Sequence, residues 1–480
     1  MTSTSCELIH TEVRNAFARG ITRPLDWRLR QIGALSKLLK ECEDHITKAL
    51  KDDLGKSPFE SFVTEIAPLL NSCDMMMKNI ATWMKPQKVS LPLVALPASG
   101  SIVAEPFGAV LIISPWTYPI LMSLDPLIGA IGAGNAAVLM PSIVTHSSFT
   151  VLNELIPKYL DKNAIKVVGC ETRVTEEMLN LQWDKIFFTG SPRIAKFVMQ
   201  KAAEHLTPVT LELGGKCPTI VDSSTDMEVA ARRIAAGKWG VNCGQSLIAP
   251  DYVIVEKGFA PVLLKALKNA LRSFFGSHPS PENPDLMRLV NEEHFRRVKA
   301  FLEDPSVSRT IKHGGGYDIE KRYIEPTILL DPPRNAKIMR EEILGPILPI
   351  ITVERIDEAI DFINTKEKPL ALYLFTENDD LKNEVINKTS AGTMLINDTV
   401  IHVTMQELPF GGVGKSGMGA HHGKFSFEAF SHMKPVMVRS MAGDVDARYP
   451  PYTPEKRNIL RRIARFQYLP LLLVWLGLTK

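Results

Sequence analysis

Hydrophobic positions recur with two different periods along this 480-residue chain. Up to about residue 85 they recur every three or four positions, as in WRLRQIGALSKLL at 27–39, which predicts amphipathic helices. From about residue 100, helical stretches alternate with short apolar runs at 109–113, 136–139, 185–188, 218–221 and 252–255. Strands separated by helices predict βαβ units and a parallel sheet, so the expected fold class is α/β.

Composition narrows the class of protein. The length predicts more than one packed region. The chain is 45% hydrophobic and 23% charged with a formal net charge of +3, which is neither a disorder signature nor the basic excess of a nucleic-acid binder. We therefore expect a multidomain globular protein that acts on small molecules, with no nucleic-acid partner.

The cysteines and histidines predict neither a disulfide framework nor a metal site. The six cysteines are scattered without a CxxC pair, and the histidines show no HExxH or similar ligand spacing. The N-terminal sequence lacks a basic segment followed by an apolar one, so no secretory signal is expected. These features predict a reducing, cytoplasmic location.

The C-terminal end carries a basic stretch and then an apolar run. The run YLPLLLVWLGL at 468–478 is about half the roughly 20 residues that a spanning helix needs, and Pro470 interrupts it. Because several arginines and lysines precede it from Lys456 onward, we expect a helix in a membrane interface, with peripheral contact to an intracellular membrane. The alternative is a segment docked on the protein's own surface.

Glycine-rich segments give only weak nucleotide signals. GAIGAG at 129–134 has its glycines in the wrong order for a dinucleotide fingerprint. GGVGKS at 411–416 resembles the end of a P-loop, but the first glycine of that motif would fall at Pro409, where the ring cannot make the turn. A P-loop NTPase is excluded on this ground.

Several longer segments carry a more specific resemblance. They are SPWTYP at 114–119, FTGS at 188–191, LELGGK at 211–216, NCGQ at 242–245 followed by APDY at 249–252, EEILGP at 341–346 and LPFGGVGKSG at 408–417. Together, and in this order, they resemble the aldehyde dehydrogenase superfamily, specifically the family-3 type. The resemblance implies NAD or NADP as cofactor and an aldehyde that enters by a tunnel.

The same resemblance implies a domain organisation and a homodimer. Its Rossmann-like cofactor domain would comprise 1–85 and 105–210, and an α/β catalytic domain would follow at 211–395. A small β extension for oligomerisation would use 86–104 and 396–445, and 446–480 would form the basic and apolar tail.

Aldehyde oxidation in this family needs a thiolate that attacks the carbonyl, an asparagine amide that stabilises the oxyanion, and a glutamate that activates water. Glu212 in LELGGK matches the glutamate, although a solvated carboxylate at a strand end is the structural alternative. The nucleophile motif N-x-G-Q-x-C, matched from Asn242 onward, places Leu247 at the cysteine. Leucine offers neither a nucleophile nor a proton.

The oxyanion asparagine is also replaced. The family's PWN segment reads Pro115-Trp116-Thr117, and a threonine hydroxyl is shorter than an amide. Loss of one such donor costs about 10² to 10³ in rate. Loss of a covalent nucleophile costs on the order of 10⁶.

Cofactor contacts are partly retained. The family's KPSE segment reads Met140-Pro-Ser-Ile143, so both polar contacts to the adenosine ribose are missing, and Leu344 replaces a phenylalanine near the nicotinamide. Glu342 remains to hold the nicotinamide ribose. The resemblance further places four residues along the cofactor: Trp116, Gly190, Ser191 and Ile194. Gly190 and Ser191 offer a turn and a helix start of the kind that receives a pyrophosphate.

These departures predict an inactive or strongly impaired aldehyde dehydrogenase homologue, kept as a scaffold, a binding protein or a dimer partner. A second interpretation is an active enzyme that uses another thiol, with Cys243 as the candidate, although a small buried residue is the structural alternative there. A third is ester hydrolysis by Ser246 with Glu212, for which no histidine motif supplies a base.

Overall fold

A computed structural model describes residues 3–92, 95, 98–442, 444 and 446–465. The chain divides into two compact units. The larger comprises Met1–Ala81 and Pro106–Ser431, and the smaller comprises Thr82–Glu105 and His432–Lys480.

The N-terminal periodicity forms helices, as predicted. They are α1 (Ser3–Ala18), α2 (Leu25–Glu41), α3 (Glu43–Leu54), α4 (Pro58–Ser61), a π-helical turn (Phe62–Ile66) and α5 (Ala67–Trp83). Later helices are α6 (Leu121–Ala133), α7 (His146–Tyr159), α8 (Thr172–Leu179), α9 (Pro192–Glu204), α10 (Met227–Ala235), α11 (Ala260–Phe275), α12 (Glu292–Glu303), α13 (Pro305–Ser308), α14 (Lys337–Arg340), α15 (Glu358–Asn364), α16 (Asp379–Lys388), α17 (Gly423–Ala429) and α18 (Pro454–Ala464). Their buried sides carry the apolar stripe that the spacing predicts.

The apolar runs form strands, also as predicted. The strands are β1 (Gln87–Val89), β2 (Ala98–Pro106), β3 (Ala109–Ile113), β4 (Ala136–Met140), β5 (Ile165–Val167), β6 (Lys185–Gly190), β7 (Val209–Leu213), β8 (Pro218–Val221), β9 (Tyr252–Glu256), β10 (Ile311–His313), β11 (Tyr317–Asp318), β12 (Tyr323–Ile324), β13 (Thr327–Leu330), β14 (Ile347–Val353), β15 (Ala371–Phe375), β16 (Thr393–Ile396), β17 (Gly417–Met418) and β18 (Ser431–Arg439). Strands β3 and β4 are buried along their whole length, because helices cover both faces of a parallel sheet.

The first large sheet has six strands in the order β17-β7-β6-β3-β4-β5, parallel except for β17. The chain runs outward from β3 through β4 to β5 and then crosses to β6 on the other side of β3. A crevice forms at such a switch, outside the carboxyl ends of the strands, and this is where open α/β sheets bind ligands.

The second large sheet has seven strands in the order β10-β13-β14-β9-β8-β15-β16, with only β10 antiparallel. It lies in the same compact unit as the first sheet. The boundary that we drew between residues 210 and 211 falls inside β7, a strand of the first sheet. Glu212 is therefore on a strand of the first sheet.

The smaller unit contains a three-stranded sheet in the order β1-β2-β18. The segment 396–445, which we assigned to oligomerisation, is divided between the units: up to Ser431 it belongs to the larger one. This follows from its contacts, since β17 pairs with β7 and α17 packs against α6.

The basic part of the tail forms α18, whereas the apolar run 468–478 lies outside the described residues. Within the described ranges, no helix is long and apolar enough to cross a membrane.

Candidate active site

The carboxyl ends of the parallel strands bring distant segments to one edge of the first sheet. Ile113 pairs with Met140 and with Phe188, and Gly190 pairs with Leu213. The segments that follow these strands, 114–117, 141–143, 191–194 and 214–216, therefore meet at this edge. Five of the positions that the resemblance selected lie in these segments: Trp116, Thr117, Ile143, Ser191 and Ile194.

Leu247 lies at the end of a loop with an unusual backbone. Asn242, Cys243 and Gly244 all have positive φ, and a side chain at Gly244 would collide with the carbonyl oxygen of Gly345. The Asn242 amide donates to the carbonyl oxygens of Thr117 (2.7 Å) and Gln245 (2.6 Å), which holds the loop against the segment after β3. The Asn242-to-Gln245 match thus reflects a hydrogen-bonded turn that positions Leu247.

The Leu247 side chain is 6% exposed and lines a cavity of about 220 Å³. We call it the Leu247 cavity. The lining residues are Val63, Thr64, Pro68, Tyr118, Leu121, Met122, Val241, Ser246, Leu247, Ile248, Val400, Ile401, Val403, Thr404 and Phe410. Among these there is no cysteine, histidine, carboxylate or cation. The cavity suits an apolar small molecule.

Thr117 is buried behind this cavity. Its hydroxyl contacts the sulfur of Met122 at 3.6 Å, and Thr117 is not among the residues that line the cavity. In this conformation its proton faces Met122 rather than a ligand beside Leu247.

Glu212 is buried, with 3% of its surface exposed, so the solvated strand-end interpretation is wrong. It accepts a hydrogen bond from the Thr189 hydroxyl on β6 at 3.2 Å. Its other carboxylate oxygen contacts Nε2 of His421. Glu212 lines a small pocket of about 30 Å³ next to the Leu247 cavity, together with Asp125, His421 and His422.

Charges in this small pocket are strongly coupled. Burial alone would lower the pKa of His421, but the Glu212 and Asp125 carboxylates outweigh it and raise that pKa to about 10. Burial and the neighbouring His421 charge lower the pKa of His422 to about 3. Glu212 therefore lies in one contact network with His421 and Asp125.

A second and larger cavity, of about 430 Å³, lies where Gly214 and Gly215 follow β7. We call it the Glu342 cleft. The other residues along it are Pro192, Lys216, Tyr252, Met339, Arg340, Glu341, Glu342, Thr365, Lys366, Glu367, Lys368 and Lys415. Oxygen Oε1 of Glu342 is buried there and has no hydrogen-bond partner among the described residues. Burial, and then the Asp251 charge, raise the pKa of Glu342 to about 8.

The predicted adenosine contacts are apolar in the structure as well. Met140 is fully buried at the end of β4, while Ile143 is exposed. Gly190 ends β6, and Ser191 caps α9 by accepting from the Ile194 N–H at 3.4 Å.

Trp116 and Leu344 are joined through His294. The Trp116 ring meets the His294 ring edge-on at 5.0 Å, and Nε2 of His294 lies 2.7 Å from the carbonyl oxygen of Leu344. Burial, with the Arg297 charge next, lowers the pKa of His294 to about 4, so this histidine is a neutral packing residue. The structure thus brings Trp116 and Leu344 together on either side of His294.

Comparison with known proteins decides the family. The model of the aldehyde dehydrogenase family matches residues 2–436. The chain belongs to this family. Among its relatives, aldehyde dehydrogenase family 3 member I1, chloroplastic, from Arabidopsis thaliana is 47% identical over 473 residues, which are 98% of this chain and 86% of the relative. The family-3 resemblance is confirmed.

Solved structures confirm the fold. The substrate-bound state of Staphylococcus aureus AldH has a TM-score of 0.92 and 41% identity, covering 95% of this chain and 99% of that one. Glyceraldehyde-3-phosphate dehydrogenase GapN from Methanocaldococcus jannaschii, complexed with NADP, has a TM-score of 0.81 and 22% identity, covering 92% and 95%. The second likeness shows the fold alone.

The two alternative nucleophiles are poorly placed in this aldehyde dehydrogenase homologue. Cys243 is 3% exposed, burial raises its pKa to about 12, and it does not line the Leu247 cavity. Ser246 does line the cavity, but Glu212 lines the neighbouring pocket instead. Neither arrangement supplies an activated nucleophile.

Sequence reasoning missed Asp125, His421 and His422. Adjacent histidines match no ligand motif, and Asp125 is remote along the chain. The one available signal was the pair of consecutive histidines in GAHHGK at 419–424, directly after a family motif.

Proposed function

We propose that this aldehyde dehydrogenase homologue binds an apolar aldehyde, or a ligand of similar shape, and oxidises it very slowly. The observation that carries the proposal is Leu247, an apolar side chain at the nucleophile position of a cavity without a thiol. Glu212 supports it, because its carboxylate is paired with His421 rather than directed at that cavity.

The test is NAD(P)H formation by the purified chain with a medium-chain aldehyde. We expect a rate at least about 10³-fold below that of a relative with the intact motif, since a nucleophile and an oxyanion donor are both missing. Turnover on the order of 10 s⁻¹, the median for enzymes, would contradict the proposal.

A nicotinamide cofactor fits the Glu342 cleft. The unpaired Oε1 of Glu342 can accept from a ribose hydroxyl, and Arg340, Lys366 and Lys368 on the same cleft favour an anionic ligand. The helix start at Ser191 presents the positive end of the α9 dipole to a pyrophosphate. Met140 and Ile143 offer no polar contact to an adenosine ribose, so we expect weak binding of both NAD and NADP. When bound, the nicotinamide ring of the cofactor would supply a hydride acceptor.

Homodimer formation through the smaller unit is our proposal for assembly. β18 is an edge strand, and its Met437 and Val438 are exposed. An exposed apolar edge is a site for strand pairing. Sedimentation of wild type and of Met437→Lys/Val438→Lys tests this: the variant should be monomeric, whereas an unchanged mass would exclude this edge.

We also propose a cytoplasmic protein whose tail makes peripheral membrane contact. Helix α18 is rich in arginine and lysine, as an interfacial helix on anionic lipid requires. Deletion of 454–480 should release the protein from anionic vesicles, and salt should weaken wild-type binding. Equal binding by the truncated chain would exclude this role, and cell fractionation tests the location.

A further inference from the structure

The pocket beside Glu212 contains buried polar atoms that the protein leaves unsatisfied. They are Asp125 Oδ2, Glu212 Oε1, His421 Nδ1, His421 Nε2 and His422 Nδ1, which have no hydrogen-bond partner of acceptable geometry among the described residues. Each such atom costs free energy, and folded proteins keep few of them. Four of the five face one another, since His421 contacts Asp125 through Nδ1 and Glu212 through Nε2, and Nδ1 of His422 has no partner. The two histidines and Asp125 thus form a buried set of candidate ligands.

We propose that Asp125, His421 and His422 bind a divalent transition-metal ion, for which Zn²⁺ is the best match. All three side chains are buried, and one ligand atom from each lies within 4.8 Å of the others. Nδ1 of His421 is 3.2 Å and Nε2 of His422 is 3.9 Å from Asp125 Oδ2. Ligand atoms around a tetrahedral zinc ion are about 3.3 Å apart, so a small contraction suffices.

The surroundings supply the outer shell that such a site needs. A histidine that binds a metal through one nitrogen donates the other N–H to a carboxylate. Here Nε2 of His421 contacts Glu212, and the Ser72 hydroxyl donates to Asp125 Oδ1 at 2.5 Å. With a metal bound through Asp125 Oδ2 and His421 Nδ1, both of these atoms gain a partner, and the contact of His421 Nε2 with Glu212 is kept. The pocket of about 30 Å³ leaves room for a water as the fourth ligand.

The backbone is arranged to bring two consecutive histidines to one ion. Successive side chains on extended backbone point to opposite sides. His422 instead has a φ of 85°, which is rare for a residue with a side chain, and the two rings lie 4.3 Å apart. Strained backbone of this kind is found at functional sites.

Helix packing brings Asp125 to the same place. α6, which carries Asp125, lies so close to α17 that a side chain at Gly129 would come within 2.9 Å of Ser426. The Asn135 amide, after α6, donates to the carbonyl oxygen of Phe430 at 2.9 Å. Asp125 and the histidines are therefore held by a rigid contact. This inference departs from the sequence-based expectation of no metal.

The test is zinc binding by the full chain after removal of metal with a chelator. Competition with a chromophoric zinc chelator should show one tight site per wild-type chain, lost in His421→Gln and in Asp125→Asn. Ser72→Ala should bind about 10-fold more weakly, as loss of an outer-shell partner does. The control is His402→Gln, since His402 is buried nearby with both ring nitrogens unsatisfied but lies outside the cluster.

X-ray absorption spectroscopy at the zinc edge identifies the ligands in the Zn²⁺-loaded wild type. This measurement tests the proposal even if a variant fails to fold. Two histidine nitrogens with oxygen ligands are expected, together with a rise in Tm on adding Zn²⁺. No tight site in the wild type, or equal binding by His421→Gln and wild type, would overturn the proposal. Since the readout is metal binding, it is independent of the proposed loss of aldehyde oxidation.

Discussion

The Leu247 cavity and the Glu342 cleft lie in the same compact unit but differ in their polar groups. The first is lined by apolar side chains, with two threonines, Tyr118 and Ser246 as its polar members. The second has lysines and an arginine along it and keeps a buried carboxylate oxygen without a partner. The difference is that the Glu342 cleft offers charged groups to a polar ligand, whereas the Leu247 cavity offers only hydroxyl groups.

The largest expected effect comes from returning chemistry to the Leu247 cavity. Leu247→Cys with Thr117→Asn restores a thiol and an amide donor, and we expect aldehyde oxidation to rise by about 10² to 10³ over wild type. NAD(P)H formation measures the rate, and mass spectrometry detects an acyl group on the new thiol. The gain should exceed the product of the two single effects.

Ile248→Cys is the matched control for that experiment. Ile248 also lines the cavity and is equally buried, but it lies one position after the motif. If Ile248→Cys raised aldehyde oxidation as much as Leu247→Cys does, the position of the thiol in the cavity would not matter. If the double variant folds but forms neither product nor thioester, the loss extends beyond these two residues, and His421 is the next candidate because it pairs with Glu212.

Further restoration at the adenosine end meets a structural obstacle. Met140 is fully buried, so Met140→Lys places an ammonium group where water does not reach. Ile143→Glu is exposed and carries no such cost. We expect Ile143→Glu alone to add activity to the double variant, while Met140→Lys lowers Tm in the absence of cofactor. An unchanged Tm for Met140→Lys would show that the introduced ammonium group reaches water or a polar partner.

An intermediate effect is expected at the Glu342 cleft. At a pH of about 9, above the Glu342 pKa of about 8, Glu342→Gln should weaken cofactor binding by about 10-fold, because a charged acceptor for a ribose hydroxyl is replaced by a neutral one. Titration of NADH and NADPH fluorescence measures the affinity. Glu341→Gln is the control, since Glu341 lies on the same cleft and is exposed. If both variants bound the cofactor equally weakly, the effect would come from the total charge of the cleft rather than from a contact with Glu342.

The smallest effect concerns the pH dependence of stability. The pKa of Glu342 rises from 4.5 to about 8 on folding, so between these values the unfolded carboxyl is ionised and the folded one is protonated. Its contribution to stability is therefore present below pH 4.5 and is lost as the pH rises through about 8.

Glu342→Gln removes this titration. Its Tm should exceed that of wild type by about 1–3 °C at pH of about 9 and should equal it near the acid end. Thermal unfolding of both proteins across this range is the measurement. If the Tm of the wild type changed with pH in the same way as the Tm of the variant, the raised pKa of Glu342 would be contradicted.

The sequence by itself determined the class of fold and the family, and it predicted that Leu247 and Thr117 replace catalytic residues. Helices and strands depend on periodicities over a few residues, so 27–39 and 109–113 could be assigned without tertiary information. Motif positions follow from local order along the chain, which is why Leu247 was identified before its cavity was known.

Only the tertiary structure decided which side chains share a pocket. Glu212 was expected either as a general base or as a solvated carboxylate, and its burial against His421 excludes only the solvated form. Asp125 and His421 meet because two helices pack through Gly129, and His422 turns toward them through a left-handed backbone. Such contacts join residues that are far apart along the chain, so they cannot be predicted from local periodicity, and the approach of the two consecutive histidine rings depends on the backbone angle at His422.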